Sequence, residues 1–239
     1  MKFWIYKIWH LFVLGLLSMQ FSCDKPATEY VLIQLNDTYE MAPHQPQSPG
    51  GLARAATIIK SLRAENPNTF VFHAGDFLTP SSYSGFKDSA GNLLEGRQMV
   101  EVMNAVGIDY ATFGNHEFDI SEAGLLLRLD ELEARLVSNN CFHSTGDSAK
   151  PFTQRGHIIV QAAILPDHTA QGFSIGLTAT TLPYNRKPFV KYEDPRELTQ
   201  KAVNLLSSKC DAVVLLSHQS REEDSLFAAA ISGISLIMG

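Results

Sequence analysis

From Tyr30 onward, short runs of β-branched and aromatic residues alternate with longer amphipathic stretches, which restricts this part of the chain to an α/β arrangement. Strands are expected over 30–35, 69–73, 110–113, 135–138, 158–164, 173–178, 211–217 and 234–238. Several are unbroken apolar runs, the pattern of strands buried on both faces. Helices are expected over 52–64, 97–106, 122–132, 195–206 and 221–231. Their starts carry physical signals: Asp194 precedes Pro195 with Glu197 three residues after the cap, and Ser220 and Glu223 repeat that capping-box spacing. No helix separates the runs at 158–164 and 173–178, so they predict an antiparallel pair turning through Pro166-Asp167-His168 and hence a mixed sheet. With 45% hydrophobic and 18% charged residues, the chain has apolar surface enough for a large core and too few charges for a disordered one.

The N-terminus is expected to be an export signal. Lys2 and Lys7 precede the apolar run 8–17, which is too short to cross a bilayer, a span of about 20 residues. The stretch Ser18-Met19-Gln20-Phe21-Ser22-Cys23 resembles a bacterial lipobox, so residues 1–22 are expected to be removed, Cys23 to be lipidated and residues 23–29 to form a short tether. Export would permit a disulfide between Cys141 and Cys210, but both border expected strands, and free thiols are the preferred expectation.

A formal charge of −6 and the lack of a basic run exclude a non-specific nucleic-acid binder. There is no GxGxxG, P-loop, GxSxG or HExxH. What the sequence does show is polar residues placed just after strand ends: Asn36-Asp37, Gly75-Asp76, Gly114-Asn115-His116-Glu117-Phe118-Asp119 and His218. In an α/β sheet those ends share one rim, where ligand sites gather. A single Asp there usually caps a helix or closes a turn, and a single His usually satisfies a local hydrogen bond. Four strand ends doing so together point instead to a divalent-metal site of oxygen and imidazole donors, suited to Mn, Zn, Fe, Mg or Ca. The other histidines, His10, His44, His73, His143, His157 and His168, lack this context and are read as structural or solvated.

These residues resemble the calcineurin-like metallophosphoesterases, and within them the bacterial 5′-nucleotidase and UDP-sugar hydrolase group. The strongest match is Gly114-Asn115-His116-Glu117-Phe118-Asp119, which corresponds to the family's GNHEFD block. Asn36-Asp37, Gly75-Asp76, Gly50-Gly51-Leu52-Ala53-Arg54 and Ser217-His218 match further blocks. The resemblance implies an α/β, mixed-sheet, β-sandwich-like domain with flanking helices over residues 30–239. It implies two divalent ions, with Asp37 on the first, Asn115 and His218 on the second, and Asp76 bridging them. His116, oriented by Asp119, would stabilise the transition state, and a metal-bound hydroxide would attack a nucleotide or other small phosphoester. Together with Cys23, this predicts a lipid-anchored enzyme of the bacterial envelope, in the periplasm or on the outer membrane.

Two departures accompany the resemblance. The family has Asp-x-His where this chain has Asp37-Thr38-Tyr39, and a phenol with a pKa of about 10 is a poor neutral ligand. The first ion would then be weak, completed by water or different in kind, with Glu40 a possible substitute. The family's Gly-His-x-His block is not found before Gly239, so the domain is expected to be C-terminally incomplete. A 2′,3′-cyclic-nucleotide phosphodiesterase and a non-catalytic envelope lipoprotein on the same scaffold are the competing expectations.

Overall fold

The computed structural model describes residues 29–43, 50–166 and 173–239. The export segment, Cys23, His10, His44, His168 and the turn expected beyond Pro166 lie outside the described residues.

The first half alternates β1 (Val31–Leu35), α1 (Leu52–Glu65), β2 (Thr69–His73), α2 (Arg97–Val106), β3 (Tyr110–Ala111), a 3-10 turn (His116–Asp119), α3 (Glu122–Glu131) and β4 (Arg135–Leu136). Its strands form a parallel sheet in the order β1-β2-β3-β4. The second half comprises β5 (Cys141–Thr145), β6 (Ser148–Pro151), β7 (Thr153–Gln154), β8 (His157–Ile158), β9 (Ala162–Ile164), β10 (Ile175–Thr181), β11 (Val190–Tyr192), α4 (Pro195–Ser207), β12 (Ala212–His218), α5 (Arg221–Ala230) and β13 (Leu236–Met238). A second sheet runs β13-β12-β10-β9, with β9 antiparallel to β10 and the other pairs parallel. The expected mixed sheet and the antiparallel pair are therefore present.

Side-chain alternation along the strands builds the layers. Phe70 and Phe72 of β2 pack with Leu177, Val214 and Leu216 of the second sheet, while Val71 between them packs with Leu52, Ile59, Met99 and Leu125 on the helical side. In β12, Val214 and Leu216 face the first sheet, and Val213 and Leu215 meet Val203, Leu206 and Phe227 of α4 and α5. The result is helix, sheet, sheet, helix, with a core between each pair of layers. Each fully buried Phe or Leu contributes about 1.5–3 kcal/mol to that packing.

The caps behave as their spacing requires. Asp194 accepts from the Arg196 and Glu197 amides at 2.9 Å each, and Ser220 from the Glu223 amide at 3.2 Å. Several strand expectations need correction: the runs 110–113 and 135–138 are strands only over Tyr110–Ala111 and Arg135–Leu136, and β7 and β11 were not expected. The run 158–164 is broken, because Val160 leaves it to bridge Val137 in parallel, which ties the first sheet to the edge of the second. Strand β10 runs on to Thr181, since its buried threonines find partners: Thr178 Oγ1 donates to the Gln161 carbonyl at 2.9 Å and Thr181 Oγ1 to the Phe113 carbonyl. The β5–β6 hairpin, turning through Gly146-Asp147, was not expected at all. Cys141 and Cys210 are free; Cys141 is buried, which pushes its thiol up to about 12.

Candidate active site

The polar strand ends meet at the carboxyl rim shared by the two sheets. The chain leaves β1 through Asp37 and β2 through Asp76, both in the left-handed region at φ 52° and 59°. Non-glycine residues seldom adopt that conformation, and it costs about 1–3 kcal/mol unless the surroundings hold it. Here the Ala74 amide donates to the Leu35 carbonyl at 2.7 Å and the Asp37 amide to the Gly75 carbonyl at 3.1 Å, lacing the two exits together. Gly75 sits at φ 102°, where a Cβ would collide with the backbone of Gly114, and a Cβ on Gly114 would collide with the Asp76 carboxylate. These two glycines let the second and third strand exits touch.

Glu117 staples the same junction, and its role was missed in the sequence. Its buried carboxylate accepts the amides of Asp76 at 2.8 Å, Phe77 at 2.7 Å and Leu78 at 3.0 Å, together with the amide of Gly114. Burial and the neighbouring Asp76 charge raise its pKa against the lowering pull of those amides. His73 is structural, as expected. The Gly75 amide donates to its Nδ1 at 3.2 Å, so the ring hydrogen lies on Nε2 and is donated to Thr38 Oγ1 at 2.6 Å. Burial and the nearby His218 lower its pKa to about 3, so the ring stays neutral.

All six side chains singled out at the strand ends lie in one connected network. Asp76 Oδ1 accepts the His116 amide at 2.8 Å, and Asp76 Oδ2 lies 3.4 Å from His218 Nε2. His218 Nε2 is 3.2 Å from Asn115 Oδ1, while its Nδ1 donates to the Ala74 carbonyl at 2.8 Å. Burial works to lower the His218 pKa, but the Asp76 hydrogen bond and charge prevail and raise it; the same interaction outweighs burial at Asp76 and lowers its pKa. His116 Nδ1 meets Asp119 Oδ2 at 2.6 Å, and this bond is the main cause of its raised pKa. Asn185, also missed in the sequence, donates to Asp119 Oδ1 and to the Asn115 carbonyl, both at 2.9 Å, and its own carbonyl accepts from Tyr192 Oη at 3.2 Å.

Tyr39 lies between the first two carboxylates, donating to Asp37 Oδ1 at 2.8 Å and Asp76 Oδ2 at 3.0 Å. Burial, then the hydrogen bond to Asp37, raises the pKa of its hydroxyl, which is therefore neutral at physiological pH. Glu40 does not substitute at this position: its Oε1 accepts from the Ser82 amide at 2.8 Å and hydroxyl at 2.6 Å. A cavity of about 560 Å³ opens beside Asp37 and Tyr39, bounded by Glu40, Leu52, Pro80 and Ser81.

The donors fit one divalent ion better than two. Ligands at about 2.0–2.2 Å from a common ion lie roughly 3.0–3.5 Å from one another. Asp76, Asn115 and His218 show spacings of 3.2 and 3.4 Å. Because the Ala74 carbonyl can only accept, Nδ1 carries the His218 hydrogen, and the Nε2 lone pair of the neutral ring faces two oxygen acceptors. A positive charge, whether proton or metal ion, completes that arrangement. Among the described residues no trio of His, Cys, Asp or Glu alone closes on a point; the amide of Asn115 completes the set. Around Asp37 the neutral phenol stands where a lone-pair donor would be needed.

The family model for calcineurin-like phosphoesterases matches residues 30–237, and the chain belongs to that family. It is a family of hydrolases that work through a dinuclear divalent-metal centre. Among individual proteins, the chain is similar to a snake venom 5′-nucleotidase from Gloydius brevicauda, 30% identical over 80% of this chain and 31% of that protein. It is 31% identical to a probable 5′-nucleotidase of Treponema pallidum, over 79% of this chain and 30% of that one. A crystal structure of a 5′-nucleotidase precursor from Thermus thermophilus superposes with a TM-score of 0.71 at 25% identity, over 87% of this chain and 40% of that one. The chain thus spans about a third of the length of the curated relatives it matches.

Proposed function

We propose that this domain hydrolyses phosphomonoesters, releasing phosphate from 5′-nucleotides outside the cytoplasm, on a protein exported by residues 1–22 and anchored through a lipidated Cys23. The observation that carries the reading is the convergence of Asp76, Asn115 and His218 beside the His116–Asp119 pair on a single rim. Asp76, Asn115 and His218 would hold a divalent ion, which when bound would supply Lewis acidity toward a phosphoryl oxygen and lower the pKa of water. The remaining chemistry falls to the chain. With Nδ1 engaged by Asp119, the His116 ring offers Nε2 to the phosphoryl group, and its carboxylate partner favours the imidazolium that balances charge developing in the transition state. Asn185 fixes Asp119 against the Asn115 backbone, and Glu117 fixes the loops that carry the donors.

The test is phosphate release from 5′-AMP by the purified protein with added Mn²⁺ or Zn²⁺. His116→Asn is expected to lower kcat by about 10²–10³-fold, the effect of removing one positioned group that stabilises transition-state charge. Turnover unchanged in both His116→Asn and Asp76→Asn would sink the proposal. Running 2′,3′-cyclic AMP and UDP-glucose in parallel separates the monoesterase from a cyclic phosphodiesterase or a sugar-nucleotide hydrolase. Tyr39 favours a second reading, an envelope lipoprotein that binds metal without turnover; metal uptake with no hydrolysis of any of the three substrates would establish it.

A further inference from the structure

We infer that Tyr39 closes the first of the two ion positions, so that this protein takes a single divalent ion, at Asp76, Asn115 and His218. The inference deepens the metal-dependent reading above and rests on it.

The two sides of Asp76 differ in where their protons are. On the His218 side, the Ala74 carbonyl fixes the imidazole hydrogen on Nδ1 at 2.8 Å, which leaves the Nε2 lone pair of the neutral ring facing Asn115 Oδ1 at 3.2 Å and Asp76 Oδ2 at 3.4 Å. In the neutral ring three lone pairs converge there at metal-ligand spacings, and a divalent ion can take the place of the Nε2 proton that an imidazolium would otherwise hold between the same oxygens. On the Tyr39 side, a hydroxyl hydrogen already sits between the carboxylates, shared by Asp37 Oδ1 at 2.8 Å and Asp76 Oδ2 at 3.0 Å. The other Asp37 oxygen accepts from Asn36 Nδ2 at 2.7 Å, and Asn36 Oδ1 in turn accepts from Gln34 Nε2 at 3.2 Å. Both oxygens of Asp37 are therefore hydrogen-bonded by neutral groups of the chain itself.

A metal ion entering on this side would have to displace the phenol or strip its hydrogen. An imidazole at the same place would present a lone pair with no such exchange, so the choice of Tyr at position 39 decides the ion count. Asp37 then acts as a positioning residue: it holds the phenol against Asp76 and so limits how Asp76 Oδ2 turns toward His218.

The experiment is metal content and calorimetric titration of the purified protein with Mn²⁺ and Zn²⁺ after exhaustive chelation. One ion per chain is expected, falling to none in His218→Ala, staying at one in Tyr39→Phe and rising to two in Tyr39→His. Circular dichroism on each variant confirms the fold before counting. Two ions bound by the unmodified protein with affinities within about tenfold of each other would overturn the inference, as would no ion at all. So would loss of the ion in Tyr39→Phe, or a visible phenolate-to-iron absorption band on adding Fe³⁺ that Tyr39→Phe abolishes, since either result makes Tyr39 a ligand. Phosphate release is measured on the same samples. A one-ion protein without turnover removes the hydrolase reading and keeps this inference; a two-ion enzyme does the reverse.

Discussion

The segment that follows β3 and the segment that follows β1 reach the same rim by different means. Residues 113–119 are fastened from several directions: Glu117 accepts main-chain amides from the neighbouring strand exit, His116 donates its amide to Asp76, and Asn185 ties both the Asn115 carbonyl and Asp119. Residues 36–40 are held by two main-chain bonds, the Asp37 amide to the Gly75 carbonyl and the Leu52 amide to the Glu40 carbonyl, and otherwise by their side chains, Thr38 to His73, Tyr39 to two carboxylates and Glu40 to Ser82. The lesson is one of redundancy. A loop fastened mostly through its main chain keeps its shape when one contact is lost, whereas a loop whose fastening is carried largely by its own side chains changes character with each substitution.

Three substitutions break or sharpen that contrast. The largest effect is expected from Glu117→Ala, which leaves several buried amides without an acceptor. At about 1–3 kcal/mol per unsatisfied group, partly relieved by water, a loss of about 3–5 kcal/mol should appear in urea unfolding. A loss below about 1 kcal/mol would show that the staple is dispensable. Thr38→Val deprives the buried Nε2–H of His73 of its acceptor and should cost about 1–3 kcal/mol in the same assay, with no loss of metal at His218. The smallest effect is expected from Asn185→Ala, about 0.5–1.5 kcal/mol. Its informative readout is the His116 ring in nitrogen-detected NMR, where the Nδ1 hydrogen should exchange faster once Asp119 is held from one side only; an unchanged exchange rate would show that Asn185 does not position the pair.

How legible each part was in the sequence follows from where its partners lie. Strand β2 and helix α2 match their expected bounds because an apolar run and an amphipathic repeat carry their own boundaries. Hairpin β5–β6 went unread because Ser144 to Lys150 is polar, although Gly146-Asp147 between two short runs is a turn signal that marks it. The split in 158–164 was invisible because Val160 looks like any strand residue until Val137 draws it across. At the rim, Asp37, Asp76, Asn115, His116, Asp119 and His218 could be picked out because each closely follows or ends a recognisable strand. Glu117 stands in the same block, yet its work is done on main-chain amides about forty residues away, and main-chain partners leave no mark in a sequence. Asn185 is hidden for the same reason, its partners being 66 and 70 residues distant.

Asp76 gives the rim a property that none of its neighbours has alone. One oxygen is anchored to the His116 amide, and the other is shared between the Tyr39 hydroxyl and the His218 side. In linkage language, the two sides compete for one pool of electron density. A cation beside His218 would weaken the hold of Asp76 on the phenol, and a substitution that strengthens the phenol side would weaken cation binding beside His218, since coupling between two sites runs both ways. The carboxylate is thus a balance point, and a change on either side is felt on the other.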